Sequence, residues 1–223
     1  MTWFSAWSAK PHEVSQLSPR DRRLAADARA IAALVADSAI LRADGKGNPP
    51  NQYRFRFEGK GLALDAHGNV VVQNLHEVWV ELGAAYPRLM PTLQWKTPIF
   101  HPNISVNGIV CLGGYGTHWV PSLTLDELCN MIWDMVRMKN FDIASPYNRE
   151  ASVWLRDQSI FQFPLDPRAL RNLVQIEAEV TASQSSGIAG SMSSGGIEII
   201  ESGIEIVQSR TSPKVHPDVV FID

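Results

Sequence analysis

Cysteine is nearly missing from this chain of 223 residues: Cys111 and Cys129 stand alone, with no paired spacing. Two such thiols build no disulfide framework, and they suit a reducing cytoplasm. No apolar run approaches the roughly 18 residues that a membrane span requires. Positive charge is not in excess either. Twenty Lys and Arg against 23 Asp and Glu leave a formal net charge of −3, which offers nothing to nucleic acid or an anionic membrane. The first ten residues carry Trp3, Phe4 and Trp7 but no basic start and no continuous apolar core, so they do not read as a signal peptide. Asn103-Ile104-Ser105 matches a glycosylation sequon, a motif without use in a protein that is not exported. What is present is ordinary for a soluble globular chain: 45% hydrophobic and 19% charged residues. The length suits one domain with extensions.

Ser18-Pro19-Arg20-Asp21 reads as a helix start, with serine as N-cap and proline in the first turn. Leu24, Ala28, Ile31, Ala32 and Val35 then recur at helical spacing, predicting a helix to about Leu41. Residues 43–50 (Ala-Asp-Gly-Lys-Gly-Asn-Pro-Pro) read as a loop. Tyr53 to Phe57 alternates like a half-buried strand, and Gly59-Lys60-Gly61 reads as the turn that ends it. Leu62–Leu64, Val70–Val72, Val78–Leu82 and Thr92–Trp95 supply further strands. Short strands separated by turn signals predict an antiparallel meander of about four strands, hence an α+β fold. Thr124-Leu125-Asp126-Glu127 is a capping box, and Leu125, Leu128, Cys129, Ile132, Met135 and Val136 form one apolar stripe behind it. Cys129 therefore reads as core. A final helix is expected within Ala169 to Ala182.

The chemistry concentrates at His101-Pro102-Asn103-Ile104 and, eight residues after the asparagine, Cys111. A cysteine attacks as thiolate, and acyl transfer through sulfur creates an oxyanion that needs a donor. The Asn103 amide carries two N–H groups suited to that task. Against this stands a plainer reading, a buried cysteine in the apolar run Ile109-Val110-Cys111-Leu112.

The context separates the two. Tyr86-Pro87-Arg88-Leu89-Met90-Pro91, the strand end Phe100-His101-Pro102-Asn103-Ile104, Cys111 at its fixed interval, and Trp119-Val120-Pro121-Ser122-Leu123-Thr124 together resemble the ubiquitin-conjugating enzyme family. Pro146-Tyr147-Asn148-Arg149-Glu150-Ala151 is similar to that family's PLNxEA entry to a helix, which implies a helix continuing through Leu155. The resemblance implies a UBC-like fold and a conjugating enzyme that works without cofactor or metal. Cys111 takes a ubiquitin-like modifier from an ATP-dependent activating enzyme as a thioester and passes it to an amine on a target protein. Asn103 stabilises the oxyanion; His101 and Pro102 support the turn, with Asp142 and Ser145 as supporting polar groups. Arg20, Arg22 and Arg23 resemble the first-helix basic cluster that docks the activating enzyme, whereas their bland reading is a solvated basic face.

The resemblance has gaps. Gly113 stands where many relatives carry aspartate, and Ser145 where aspartate is common. The divergence around Gly113 to Thr117 suits a prokaryotic conjugation system, of a kind that includes bacterial antiviral defence. Two other classes stay open: a non-catalytic module that binds and presents a ubiquitin-like protein, and a cysteine hydrolase, for which His118 is the nearest candidate base. Three regions are expected: residues 1–18 as an extension, 19–182 as the UBC-like catalytic domain, and 183–223 as a Ser/Gly-rich linker and β-prone tail. The tail repeats Gly-Ile-Glu-Ile at 196 and 203, either to cover apolar surface or to dock on a ubiquitin-like fold by strand addition.

Overall fold

A computed structural model describes residues 17–112 and 119–173. The expected tail strands, most of the expected final helix, Gly113 and His118 lie outside those residues. The chain divides into two units, Met1–Ala182 and Ser183–Asp223, and all the described residues belong to the first.

The order of elements is α1 (Pro19–Ala36), β1 (Leu41–Gly47), β2 (Pro50–Leu64), β3 (Val70–Glu81), β4 (Thr92–Trp95), α2 (Leu125–Val136) and α3 (Arg149–Asp157). The four strands form one antiparallel sheet in the order β1-β2-β3-β4. Among the described residues no helix is long and apolar enough to cross a membrane.

Helix α1 begins as its sequence predicts. Ser18 Oγ accepts from Asp21 N at 3.1 Å and donates to the Asp21 carboxylate at 2.7 Å. It stops at Ala36, short of the expected Leu41, because Ser38 redirects the chain: its hydroxyl oxygen accepts from the backbone N–H of Ile40 and Leu41. Residues after it join the sheet.

Two strand expectations are corrected. The segment 43–50 is not a loop but strand β1 and a tight turn, with Leu41 opposite Phe57 and Lys46 opposite Gln52. Its charged look comes from cross-strand pairing. The Asp44 carboxylate receives Arg54 at 2.6 Å and Arg56 at 3.0 Å, both from β2. Nor does Gly59-Lys60-Gly61 turn the chain. It is a bulge inside the single strand β2, where the register slips between Glu58 and Gly61. Glycine is required there by close approach: a Cβ on Gly59 would lie 2.3 Å from the ring of Trp133.

The inward face of the sheet supplies Tyr53, Phe55, Phe57, Val78 and Val80 to the core, and α1 supplies Leu24, Ile31 and Leu34. Leu128, Ile132 and Trp133 close it from α2, the Trp133 ring stacking on Phe57 with centroids 6.2 Å apart. Cys129 is fully buried in this cluster, and burial raises its thiol pKa well above the usual range. It is core, as the stripe predicts.

A polar knot ties α1 to α2. Asp27 is 1% exposed. One carboxylate oxygen accepts from Arg23 Nε at 2.9 Å and from the Tyr86 hydroxyl at 2.7 Å. The other accepts from Leu125 N, the first residue of α2, at 3.2 Å. Arg23 also donates to the carbonyls of Pro121 and Leu123, and Trp119 Nε1 donates to Pro87 O at 2.6 Å. The Tyr-Pro and Trp-x-Pro motifs thus meet at one place. Removing one partner of a buried ion pair leaves the others unpaired, at a cost of about 3–5 kcal/mol. Asp27→Ala should lower unfolding free energy by about that much in urea titration; a loss under about 1 kcal/mol would mean that water replaces the carboxylate without penalty.

Candidate active site

After β4 the chain makes a turn that is held from within and from two neighbouring segments. His101 is fully buried. Its Nδ1 accepts from Asn103 N at 3.0 Å, so the proton sits on Nε2, which donates to Asn140 O at 3.2 Å. Both ring nitrogens are committed, and burial pulls the imidazole pKa down to about 4. His101 locks the turn as a neutral ring and has no nitrogen left to serve as a base.

His76 on β3 is also buried, and desolvation likewise lowers it to about 4. The unfolded chain takes up protons on both histidines below about pH 6.5, while the folded protein keeps them neutral until about 4. Their contribution is therefore fully present above 6.5 and is lost as pH falls toward 4. At pH 5 the loss is about 2 kcal/mol for each ring. Urea midpoints should fall clearly between pH 7 and pH 5; equal midpoints would show that the rings are not held neutral.

Pro102 presents its carbonyl to α3. The backbone N–H groups of Tyr147 and Asn148 both donate to Pro102 O at 2.8 Å. Asn148 then caps α3, its side-chain oxygen accepting from Ala151 N at 3.1 Å. Asn103 is bound on the opposite side. Its amide oxygen accepts from Asp142 N at 2.7 Å and its Nδ2 donates to Asp142 O at 2.8 Å, mimicking a strand pairing. One Nδ2–H remains for other use.

From Ile104 the chain reverses through a tight turn and returns antiparallel, Ile104 opposite Val110. Gly108 makes the reversal possible. It has φ +77°, and a Cβ there would lie 2.3 Å from Trp95 O. The returning strand alternates: Ile109 is exposed, Val110 and Leu112 are buried, and Cys111 between them is half-buried. Cys111 N donates to Asn103 O at 2.8 Å, so backbone pairing alone fixes the cysteine beside the turn. The plain reading of a buried thiol does not hold for Cys111.

The other expected residues separate. Asp142 contributes its backbone to the Asn103 pairing, while its carboxylate accepts from Ala144 N at 2.7 Å. Ser145 is exposed. Arg22 is exposed on α1 and donates to Leu17 O at 3.0 Å; Arg20 is half-buried and donates to Leu82 O at 2.8 Å. For Arg23 the bland reading is corrected. It is not a freely solvated cation but is held in the Asp27 knot, because a buried carboxylate one helical turn away captures its guanidinium.

One neighbour escaped the sequence reading. Tyr147 is half exposed, and the neighbouring Cys111 raises its phenol pKa. The sequence signal was there: tyrosine stands at the position where the PLNxEA pattern has leucine.

Comparison with known proteins locates this arrangement. Residues 63–163 match the family profile described as ubiquitin-conjugating enzyme. The ubiquitin-conjugating enzyme E2 16 of Schizosaccharomyces pombe is 36% identical over 101 residues, 45% of this chain and 53% of that protein. The NEDD8-conjugating enzyme Ubc12 of Arabidopsis thaliana is 30% identical over 77 residues, 34% of this chain and 41% of that protein. A solved structure from Plasmodium yoelii, assigned as a ubiquitin conjugating enzyme, covers 64% of this chain and 87% of its own at 19% identity and TM-score 0.48. The chain spans about half or less of the length of the two curated relatives. An N-terminal helix, a four-stranded antiparallel meander and further helices, with the family match running from β2 through α3, make the fold UBC-like.

Proposed function

We propose that this chain is a ubiquitin-conjugating-type acyltransferase that carries a ubiquitin-like modifier as a thioester on Cys111 and passes it to an amine. One observation carries the reading. The half-buried thiol of Cys111 is fixed by its own backbone to the His101–Asn103 turn, while the second thiol is sealed in the core.

The chemistry follows from those positions. The Cys111 sulfur attacks the activated C-terminal carbonyl of the modifier, forming a C–S bond as the previous carrier leaves. An amine then attacks the same carbonyl, a C–N bond forms, the C–S bond breaks, and the amine proton passes to solvent. Between attack and collapse the carbonyl oxygen carries negative charge. The remaining N–H of Asn103 is the donor for it, in a fixed orientation because the rest of the amide is pinned to Asp142. Partners in this reading are the modifier, its ATP-dependent activating enzyme and a target bearing the amine, with Arg20 and Arg22 at the activating-enzyme surface. A prokaryotic conjugation system in the cytoplasm, such as one in antiviral defence, is the proposed setting, resting on the divergent residues after Cys111.

A hydrolase needs a free imidazole at the sulfur; among the described residues His101 offers none, and His118 lies outside them. Incubation with activating enzyme, ATP and modifier tests the proposal. The chain should gain the modifier's mass through a bond that added thiol cleaves. A chain that binds the modifier without ever acquiring its mass is a presenting module instead.

A further inference from the structure

We propose that Ser152 is a positioning residue for Asn103, holding in place the backbone that orients its amide. The inference rests on the conjugating reading above and adds to it a residue from α3. Residues 140–147 form neither helix nor strand, so no ladder of backbone bonds fixes them. They are held at separate points. Asn140 O accepts from His101 Nε2 at 3.2 Å, Asp142 N and O pair with the Asn103 amide at 2.7 and 2.8 Å, and Tyr147 N donates to Pro102 O at 2.8 Å. These bonds all reach back to the 101–103 turn. The turn and the segment lean on each other, and a fixed frame has to come from outside the pair. At the start of the segment it comes from α2, where Asp134 O accepts from Asn140 N at 3.0 Å, and from the Phe141 ring against Phe163, centroids 6.3 Å apart. Past Asp142 it comes from α3, where the Ser152 hydroxyl donates to Ile143 O at 3.1 Å.

Ser152 is placed to serve as that anchor. It is buried on α3, and its neighbours Ala151 and Leu155 pack with Leu62 and Phe100 in a second core cluster, which seats the helix. A serine inside a helix can turn its hydroxyl back on the carbonyl one turn earlier. Here that carbonyl, Asn148 O, accepts from Ser152 N at 3.1 Å, and the hydroxyl crosses to Ile143 instead. The Ile143 side chain is exposed, so packing does little to hold this stretch. Its carbonyl lies one residue from Asp142, whose N–H and C=O aim the Asn103 amide. Without the hydroxyl, Ile143 O loses its donor and the backbone beside Asp142 is freed. The remaining N–H of Asn103 is then still present but no longer held in one direction. An oxyanion donor acts through preorganisation, so discharge slows by less than when the donor itself is removed.

Ser152→Ala removes the hydroxyl and keeps a good helix former. The first measurement needs no modifier: amide hydrogen exchange of the full chain, followed by nuclear magnetic resonance. The Asp142 N–H, which donates to Asn103 Oδ1, should exchange about ten-fold faster in the variant. The Cys111 N–H, bonded to the backbone oxygen of Asn103, should exchange as in the parent. Equal exchange at Asp142 overturns the proposal, and so does the same rise at both amides, which reports a loosened fold. The second measurement uses ubiquitin and its activating enzyme, with single-turnover loading and discharge to free lysine. Ser152→Ala should load like the parent and discharge about five- to ten-fold more slowly. In the Asn103→Ala background the same substitution should change discharge by less than about two-fold, because the amide through which it acts is gone. Additive losses in the double variant, or loading and discharge falling by one factor, overturn the proposal. Failure of ubiquitin to load the parent chain counts against the conjugating reading, and exchange at Asp142 then decides whether Ser152 holds the frame of Asn103.

Discussion

Asn103→Ala is expected to slow discharge of a loaded Cys111 to amines by about 10²–10³, the usual cost of losing one oxyanion donor, or roughly 3–4 kcal/mol. Loading should stay within a few-fold of the parent. The reason lies in which atoms of Asn103 do what. Its backbone oxygen accepts from Cys111 N and places the cysteine, and alanine keeps that atom. Its side chain pins Asp142 and supplies the remaining N–H, and alanine loses both. A stability loss of about 1–3 kcal/mol should accompany the kinetic change, because the Asp142 N–H and C=O lose their partners. Separate single-turnover measurements of loading and discharge distinguish the roles. If the two rates fall by the same factor, the amide only holds the segment around Asp142, and no oxyanion donation occurs.

The site was legible in the sequence because its parts are local. A turn of three residues, a glycine-closed reversal and a returning strand place Cys111 opposite Asn103 within nine positions of chain. Helix starts were equally readable, since Ser18 and the Thr124/Glu127 pair act on backbone groups within their own first turn. The sheet was less so. Asp44 and Lys46 looked like loop residues because the arginines that pair with Asp44 sit on the neighbouring strand. Gly59 looked like a turn because Trp133, the ring it makes room for, comes from α2. Asp27 lies among alanines on a helix and shows its importance only when Arg23, Tyr86 and Leu125 N converge on it. Tyr147 joins the site through Pro102 O, a contact between segments with no pattern linking them in sequence. In each case the missing information was the identity of a distant partner.

The same distinction separates the two cysteines. Cys129 is enclosed by the sheet and both long helices, with burial raising its thiol pKa, so it is neither reachable nor ionised. Cys111 is partly open to solvent on a strand whose alternation turns its buried neighbours inward. A modifier carrier must be the second kind of thiol.

Intact-mass analysis after incubation with activating enzyme, ATP and modifier tests this most directly, run on the parent chain, Cys111→Ala and Cys129→Ala with and without added thiol. The account predicts an adduct of the modifier's mass on the parent and on Cys129→Ala. That adduct disappears with thiol, and Cys111→Ala forms none. The buried substitution should lower the melting temperature while leaving the adduct in place, since it removes packing and not the acceptor. An adduct on Cys111→Ala, or one lost only in Cys129→Ala with the fold intact, would contradict the assignment of Cys111 as the carrier.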